Sequence, residues 1–458
     1  LNVVDSIIIY LYLLAVLIVG ISAGRGVKSL ERFSVAGRNY PSLIVFATLS
    51  ASFIGGGFTM GNAEKVFTVG IVNIFALWGF SLKELLVARY IAPRMDRFSN
   101  AISVGDIMYE AYGKTGKVVA GVFGMTLCAG ILGAQVGAMG YMFNVFMGVD
   151  FFWGVIIGFG IVISYSTVGG MAAVVLTDIM QFAVLGVGIP MALAAGIYAL
   201  GGWGALSAAV PHDHFRLLGD LSVPAFISLF LTFLLGETLV PPYVQRLLIG
   251  RNTESVRKGT YWSGLFSIPF FAITGLIGLA AYALKPSLDP NLALPYVIQQ
   301  ALPVGLKGLV VAAVISVVMS SADSFLNSAA VAFSNDVLRP LRKNPLSDRA
   351  QLWMVRVANA LVGILAVVFA VAIESVLDIL IYAYHFWSPI ILPPLVAALF
   401  GLKAAPSVFF AAALAGFLGT WIWKTGLGMP FGVDGLIVGI VCNAVVFTVI
   451  LKLRGRAR

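Results

Sequence analysis

One stretch of the chain concentrates oxygen atoms along a single line. Ser316, Ser320, Asp323 and Asn327 recur at i, i+4, i+7 and i+11, which is one face of a helix. Ser321, Ser324 and Ser328 widen the stripe within an otherwise apolar run, 305–338. Serines alone commonly mediate helix contact in membranes. Asp323 changes that reading, because a carboxylate in a span costs at least about 2.5–3.5 kcal/mol on insertion scales, and function is then the default. Hard cations take oxygen ligands, so the chemistry this stripe suggests is cation binding. A second carboxylate, Asp178, follows Tyr165-Ser166-Thr167-Val168-Gly169-Gly170 in a segment made polar by Thr177 and Gln181. Its structural alternative is a carboxylate favoured by a helix N-terminus.

Two further stretches break their helices. One is Ser50-Ala51-Ser52-Phe53-Ile54-Gly55-Gly56-Gly57; the other is Gly236-Glu237-Thr238 followed by Pro241-Pro242. Unwound segments at matching positions of two halves offer backbone groups to ions and solutes near the membrane midplane. Gly permits close packing and Pro kinks, but the matched placement favours a binding site. The candidate solute pocket therefore takes Ser52, Phe53, Gly55 and Gly56, with Trp78, Gln135, Glu237, Thr238, Tyr384 and Trp387 as further lining residues. Aromatics in spans are commonly plain packing; Gln135 and Glu237 are polar at mid-span. Lys83 with Glu84, near Arg89, reads as an inner-surface pair whose lysine snorkels, although a lysine there could attract an anion.

The elements that must position these residues are membrane helices. Hydrophobic residues make up 60% of the 458, charged residues 11%, and mean hydropathy is +0.99. A soluble domain of this length needs far more charge. Apolar runs long enough for a bilayer core of about 30 Å recur throughout, giving about thirteen spans. They are 3–24, 40–64, 68–90, 116–146, 151–169, 173–201, 221–246, 259–284, 305–338, 352–372, 376–401, 406–423 and 432–452, numbered zero to twelve. The chain is thus expected to be one all-α polytopic domain, 1–458, with 3–24 as an extra helix. Residues 40–201 form a first repeat of five spans, 221–401 a second, inverted one, and 406–452 two closing helices.

Charge sets the orientation. With the N-terminus outside, the outer connections carry only Lys65, Arg216, Lys285, Lys307 and Lys424, and Lys83 lies within a span; the rest of the 29 Lys and Arg fall inside. This positive-inside asymmetry expects a multi-pass plasma-membrane protein with a cytoplasmic C-terminus. It also accounts for the net charge of +9 without a nucleic-acid partner. Cys128 and Cys442 sit in apolar runs without metal or disulfide spacing. HExxH and Walker sequences are missing, which argues against an enzyme.

The span-five segment, 165–181, and Met319-Ser320-Ser321 through Asn335-Asp336-Val337 together resemble the sodium:solute symporter family over essentially the whole chain. The resemblance implies the LeuT-type fold, with ten core helices in two inverted repeats and a sodium site between spans one and eight. Its ligands would be the hydroxyls of Ser320 and Ser321 and the carbonyls of Val317, Ala47 and Ser50. Asp178 matches a family aspartate that helps to hold a second sodium in sialic acid transporters. Val317 stands where a serine of that second site is expected, so the second sodium is left open, with Asp323 as a possible substitute. Phe53-Ile54-Gly55-Gly56-Gly57 and Ser320-Ser321-Ala322-Asp323-Ser324 look nearest to the choline-transporter branch. Two of that branch's cage tryptophans would fall at Ile131 and Val240, so choline is not expected to be the solute.

The expectation is a sodium-coupled symporter importing a small polar organic solute, a carboxylate or zwitterion, with no obligatory protein partner. Proton coupling, and a sensor that kept the fold without transport, are the alternatives.

Overall fold

The computed structural model describes residues 1–344, 346–372 and 383–455; all regular elements among them are helical. The principal helices are α1 (Val3–Gly24), α2 (Ser42–Phe53), α3 (Gly56–Val69), α4 (Val72–Leu86), α5 (Val104–Met147), α6 (Phe151–Ala199) and α7 (Val223–Leu235). They continue as α8 (Pro241–Leu248), α9 (Thr253–Leu284), α10 (Leu306–Val331), α11 (Asp348–Ala372), α12 (Ser388–Leu399), α13 (Pro406–Trp421) and α14 (Gly435–Gly455). Among the described residues, eight helices are long and apolar enough to cross a membrane alone. The pair α2 and α3 forms a further span bent by 53°. The first residues assigned to span ten, 376–382, lie outside the described residues.

The longest helix, α6, has 49 residues. At about 1.5 Å per residue that is more than twice the bilayer core, so it cannot be one straight span. Gly170 leaves helical conformation at φ 52° and ψ −141°. This left-handed φ favours glycine, and a Cβ there would also collide with Phe33. The position separates 151–169 from 171–199, where the sequence places the end of span four and the start of span five.

Both expected breaks are present. Helix α2 stops at Phe53, Gly55 is extended, and α3 starts at Gly56. Helix α7 stops at Leu235, Leu239 adopts φ 55°, and Pro241-Pro242 restart the chain as α8. Proline suits that first turn because the missing N–H has no helical partner there.

Helix α10 lies at the centre. It packs against α1, α5, α6 and α11, and every residue from Val310 to Val331 is buried. The polar stripe is therefore enclosed by protein rather than by lipid. The peripheral helices show the reverse pattern: Ile7 and Leu11 of α1, Val357 and Leu361 of α11, Phe410 and Leu414 of α13, and Val441 and Val445 of α14 are exposed. Such faces suit hydrocarbon, while the helix satisfies its own backbone. Helix α1 also reaches the interior, where the Ser316 hydroxyl donates to Tyr12 Oη at 2.6 Å.

Two polar ties fasten helix ends. Lys117 Nζ lies 2.5 Å from Asp106 Oδ1 and 3.9 Å from Asp336 Oδ1, and the Asn335 amide donates to both carboxylates. At α14, Asp434 Oδ1 accepts from Leu436 N–H at 2.7 Å and lies 2.9 Å from His385 Nε2. Burial raises the Asp434 carboxyl, but the hydrogen bond and charge of His385 and the Leu436 N–H outweigh it and hold the group below its ordinary value.

Candidate functional site

A helix leaves its last carbonyls without intrahelical partners. In α2 the Ser50 carbonyl still accepts from Ile54 N–H at 3.2 Å. One residue further on, the ladder has ended. There α10 supplies hydroxyls: Ser320 Oγ donates to Ala51 O at 2.7 Å, and Ser321 Oγ donates to Ser52 O at 2.8 Å. Ser320 Oγ also contacts Val317 O at 3.2 Å. This close approach requires Gly55, because a Cβ there would stand 2.6 Å from Ser321 Oγ.

Val317, Ser320 and Ser321 thus come together as the sequence leads one to expect, but their partners on α2 are Ala51 and Ser52. Ala47 and Ser50 do not join this contact. The Ser50 carbonyl is used within the helix, and its hydroxyl turns to Ser263 at 3.3 Å. Ala47 lies further inside the regular helix, where its carbonyl belongs to the ladder.

The two aspartates lie beside this cluster, and neither has measurable exposure. Asp323 Oδ2 accepts from Tyr165 Oη at 2.5 Å and from Thr177 Oγ1 at 3.4 Å, and Oδ1 accepts from Ser324 at 3.1 Å. Asp178 Oδ2 accepts from Thr48 and, at 3.0 Å, from Ser52. It also faces Arg246, whose Nη2 stands 3.1 Å away.

Arg246 is the residue that sequence reasoning missed. The charge tally places it in an inner connection, yet its side chain has no exposure at all. Its guanidinium also donates to Ser52 Oγ and Ser324 Oγ, each at 2.5 Å, to Pro242 O at 3.1 Å, and to Thr48 Oγ1 at 3.2 Å. Its place on a short helix one turn after the second break was the available signal. Ser52, expected against the solute, instead belongs to this oxygen-rich side.

Phe53 faces the other way. Its ring meets Tyr243 edge to face at 5.1 Å. Lys83 Nζ sits against three rings, 3.5 Å from the centroid of Phe80, 4.5 Å from Tyr243 and 5.5 Å from Phe53. It also lies 2.9 Å from Glu84 Oε1, while Tyr243 Oη donates to Glu84 Oε2 at 2.9 Å. The snorkelling expectation for Lys83 is therefore wrong. Its side chain is 1% exposed and that of Glu84 is fully buried, so the ammonium never reaches an interface.

Gln135 lies beside Gly55 and Gly56, within 3.4 Å of a Cβ built at either position, and its buried Oε1 accepts no hydrogen bond from the described residues. At the second break, Tyr384 Oη donates to Glu237 Oε1 at 2.5 Å, and Trp387 Nε1 donates to Thr238 O at 3.3 Å. Ser388 Oγ donates to the carbonyls of Leu235 and Gly236, each at 2.8 Å. Trp78, like Ser52, departs from the expected lining. Its indole donates to Ile268 O of α9 at 3.1 Å, which ties it to the scaffold.

The chain is similar to known proteins. High-affinity choline transporter 1 of Drosophila melanogaster is 27% identical over 417 residues, covering 84% of this chain and 64% of that protein. The chain thus spans just under two thirds of that relative's length. The osmoregulated proline transporter OpuE of Bacillus subtilis (strain 168) is 23% identical over 457 residues, covering 95% and 92%. The substrate-bound outward-open state of a Na+-coupled sialic acid symporter superposes with a TM-score of 0.86 over 98% of both chains, at 18% identity. At that identity the likeness is one of fold, a LeuT-like transporter fold. The relatives are transporters, not enzymes, and the chain is a multi-pass membrane protein. The sodium:solute symporter family model matches residues 33–416, and the chain belongs to that family.

Proposed function

We propose that the protein is a sodium-coupled secondary active symporter that imports a small polar organic solute, a carboxylate or zwitterion, by alternating access. The observation that carries this reading is the meeting of Ser320 and Ser321 with the freed carbonyls of Ala51 and Ser52. With Val317 O, these are oxygens from two helices at a break, the kind of set a hard cation takes. Sodium binding there would join α2 to α10 and order the break. One charge moving inward across 100 mV supplies about 2.3 kcal/mol.

The architecture in this reading is about thirteen spans, with inverted repeats over 40–201 and 221–401, the N-terminus outside and the C-terminus in the cytoplasm. Asp178 is balanced by Arg246 rather than by an ion, so the reading has one sodium per cycle. The solute occupies the space between the two breaks, near Phe53, Gly55, Gly56, Gln135, Glu237, Thr238, Tyr384 and Trp387.

A thermal-shift screen of carboxylates and amino acids, in sodium and in potassium, tests the coupling. Binding free energies couple reciprocally, so the true solute stabilises the protein more in sodium. A solute that stabilises equally in both salts contradicts the reading. A proton-coupled cycle is the second reading, favoured by Asp323. It is fully buried and held by hydroxyls, with no basic side chain in ion-pair contact among the described residues. Such a carboxylate requires a cation or a proton.

A further inference from the structure

The space between the two breaks already contains a cation. Phe53 closes the first helix segment, and Tyr243 stands two residues after Pro241 in the second. Phe80 of α4 completes a box of three rings around Lys83 Nζ, and its walls are buried. Ring faces attract cations through their quadrupoles, most strongly where water is excluded. The carboxylate of Glu84 closes the box at 2.9 Å. Beyond this carboxylate, the ammonium has no polar partner among the described residues. A lysine held in this way depends on charge and ring faces rather than on a directional network.

We propose that Lys83 is a tethered occupant of an ammonium subsite, and that it determines specificity by filling that subsite. The inference rests on the reading of the inter-break space as the solute site. While Lys83 is present, the alkylammonium or quaternary ammonium end of a solute finds the ring faces taken and meets a like charge. A carboxylate or carbonyl end finds the ammonium instead. Without Lys83, the same rings and Glu84 form a receptor for a small organic cation.

The test is chemical rescue. Lys83→Ala deletes three methylene groups and the ammonium, which n-propylammonium replaces atom for atom. Tetramethylammonium probes the rings without hydrogen bonding. In detergent, both ions should raise the melting temperature of Lys83→Ala saturably, above matched potassium chloride and above n-propanol, and should leave the wild type unchanged. Lys83→Ala/Glu84→Gln, which lacks the carboxylate, should show no such rise. If Lys83→Ala does not fold alone, n-propylammonium should restore a monodisperse peak on size exclusion where n-propanol does not. The proposal is overturned if neither ion stabilises or restores Lys83→Ala, if the wild type responds equally, or if the double variant responds as the single one does. Neither probe is sodium or the transported solute. Failure here therefore leaves the sodium reading standing, and failure of sodium dependence leaves this result interpretable.

Discussion

Arg246 and Lys83 both approach the Phe53 ring, at 5.8 and 5.5 Å, yet they are held in opposite ways. Arg246 spreads its guanidinium over oxygens from α2, α6, α8 and α10: Thr48, Ser52, Asp178, Pro242 and Ser324. Lys83 has three ring faces and one carboxylate. A planar fork with fixed donors suits the first surroundings, and a compact point charge suits the second. The difference teaches that charge in the middle of this membrane protein serves two ends. One cation fastens helices together beside the first break, and the other fills a box of rings.

The largest effect should come from removing the fastening cation. Arg246→Met leaves Asp178 buried and unpaired, which costs about 3–5 kcal/mol and should appear as lost folded yield or a much lower melting temperature. Arg246→Lys should recover only part of it, because an ammonium cannot reproduce the fork. Full recovery would mean that only the charge matters.

Removing both members of each pair sharpens the contrast. Lys83→Met/Glu84→Gln should lie within about 1.5 kcal/mol of the wild type, since replacing a buried pair by well-packed neutral groups is commonly neutral or favourable. Arg246→Met/Asp178→Asn should cost about 2–4 kcal/mol, because Thr48, Ser52, Ser324 and the Pro242 carbonyl lose their partner. Denaturant or thermal unfolding measures both, and equal costs would erase the distinction.

Asp323 extends the comparison to a carboxylate with no basic partner in contact among the described residues. Asp323→Asn should weaken apparent sodium affinity by about tenfold, or about 1.4 kcal/mol, read as the sodium half-saturation of the thermal shift. An unchanged half-saturation makes Asp323 structural.

The smallest effect lies away from both regions. Asp434→Ala removes the side chain that holds Leu436 N–H and should cost about 1 kcal/mol without moving the sodium response. The Asp434 carboxyl is held below its ordinary 3.8. Its contribution should therefore be complete above that value and disappear as pH falls through the lower, folded one. The wild-type minus variant difference in melting temperature should shrink below about pH 4.

The apolar helices and both breaks were legible because a bilayer demands long apolar runs, and the Gly and Pro clusters stand at matching positions of two halves. The stripe on α10 was legible because its period is helical. The register on α2 was not. Freed carbonyls exist only after the ladder ends, and whether it ends near Ser50 or at Phe53 depends on packing against α10. Arg246 escaped notice because counting charges by segment treats a residue at a helix end as a flank, whereas α8 turns it into the core. Lys83 and Glu84 are adjacent in sequence, and nothing local reveals that rings from α2 and α8 enclose them. Trp78 was assigned to the pocket by its type alone, and its indole is committed to Ile268.

Sodium is proposed to bind where Ser320 and Ser321 meet the freed carbonyls of α2. The direct measurement is the melting temperature of purified protein titrated with sodium chloride, total salt being held constant with potassium chloride. A ligand that binds only the folded state stabilises it by about 2.7 kcal/mol at a hundred times its dissociation constant. A saturable sodium-specific rise is expected in the wild type, and its loss in a folded Ser320→Ala/Ser321→Ala variant. A wild type that melts identically in both salts, or a double variant with unchanged sodium half-saturation, would contradict it.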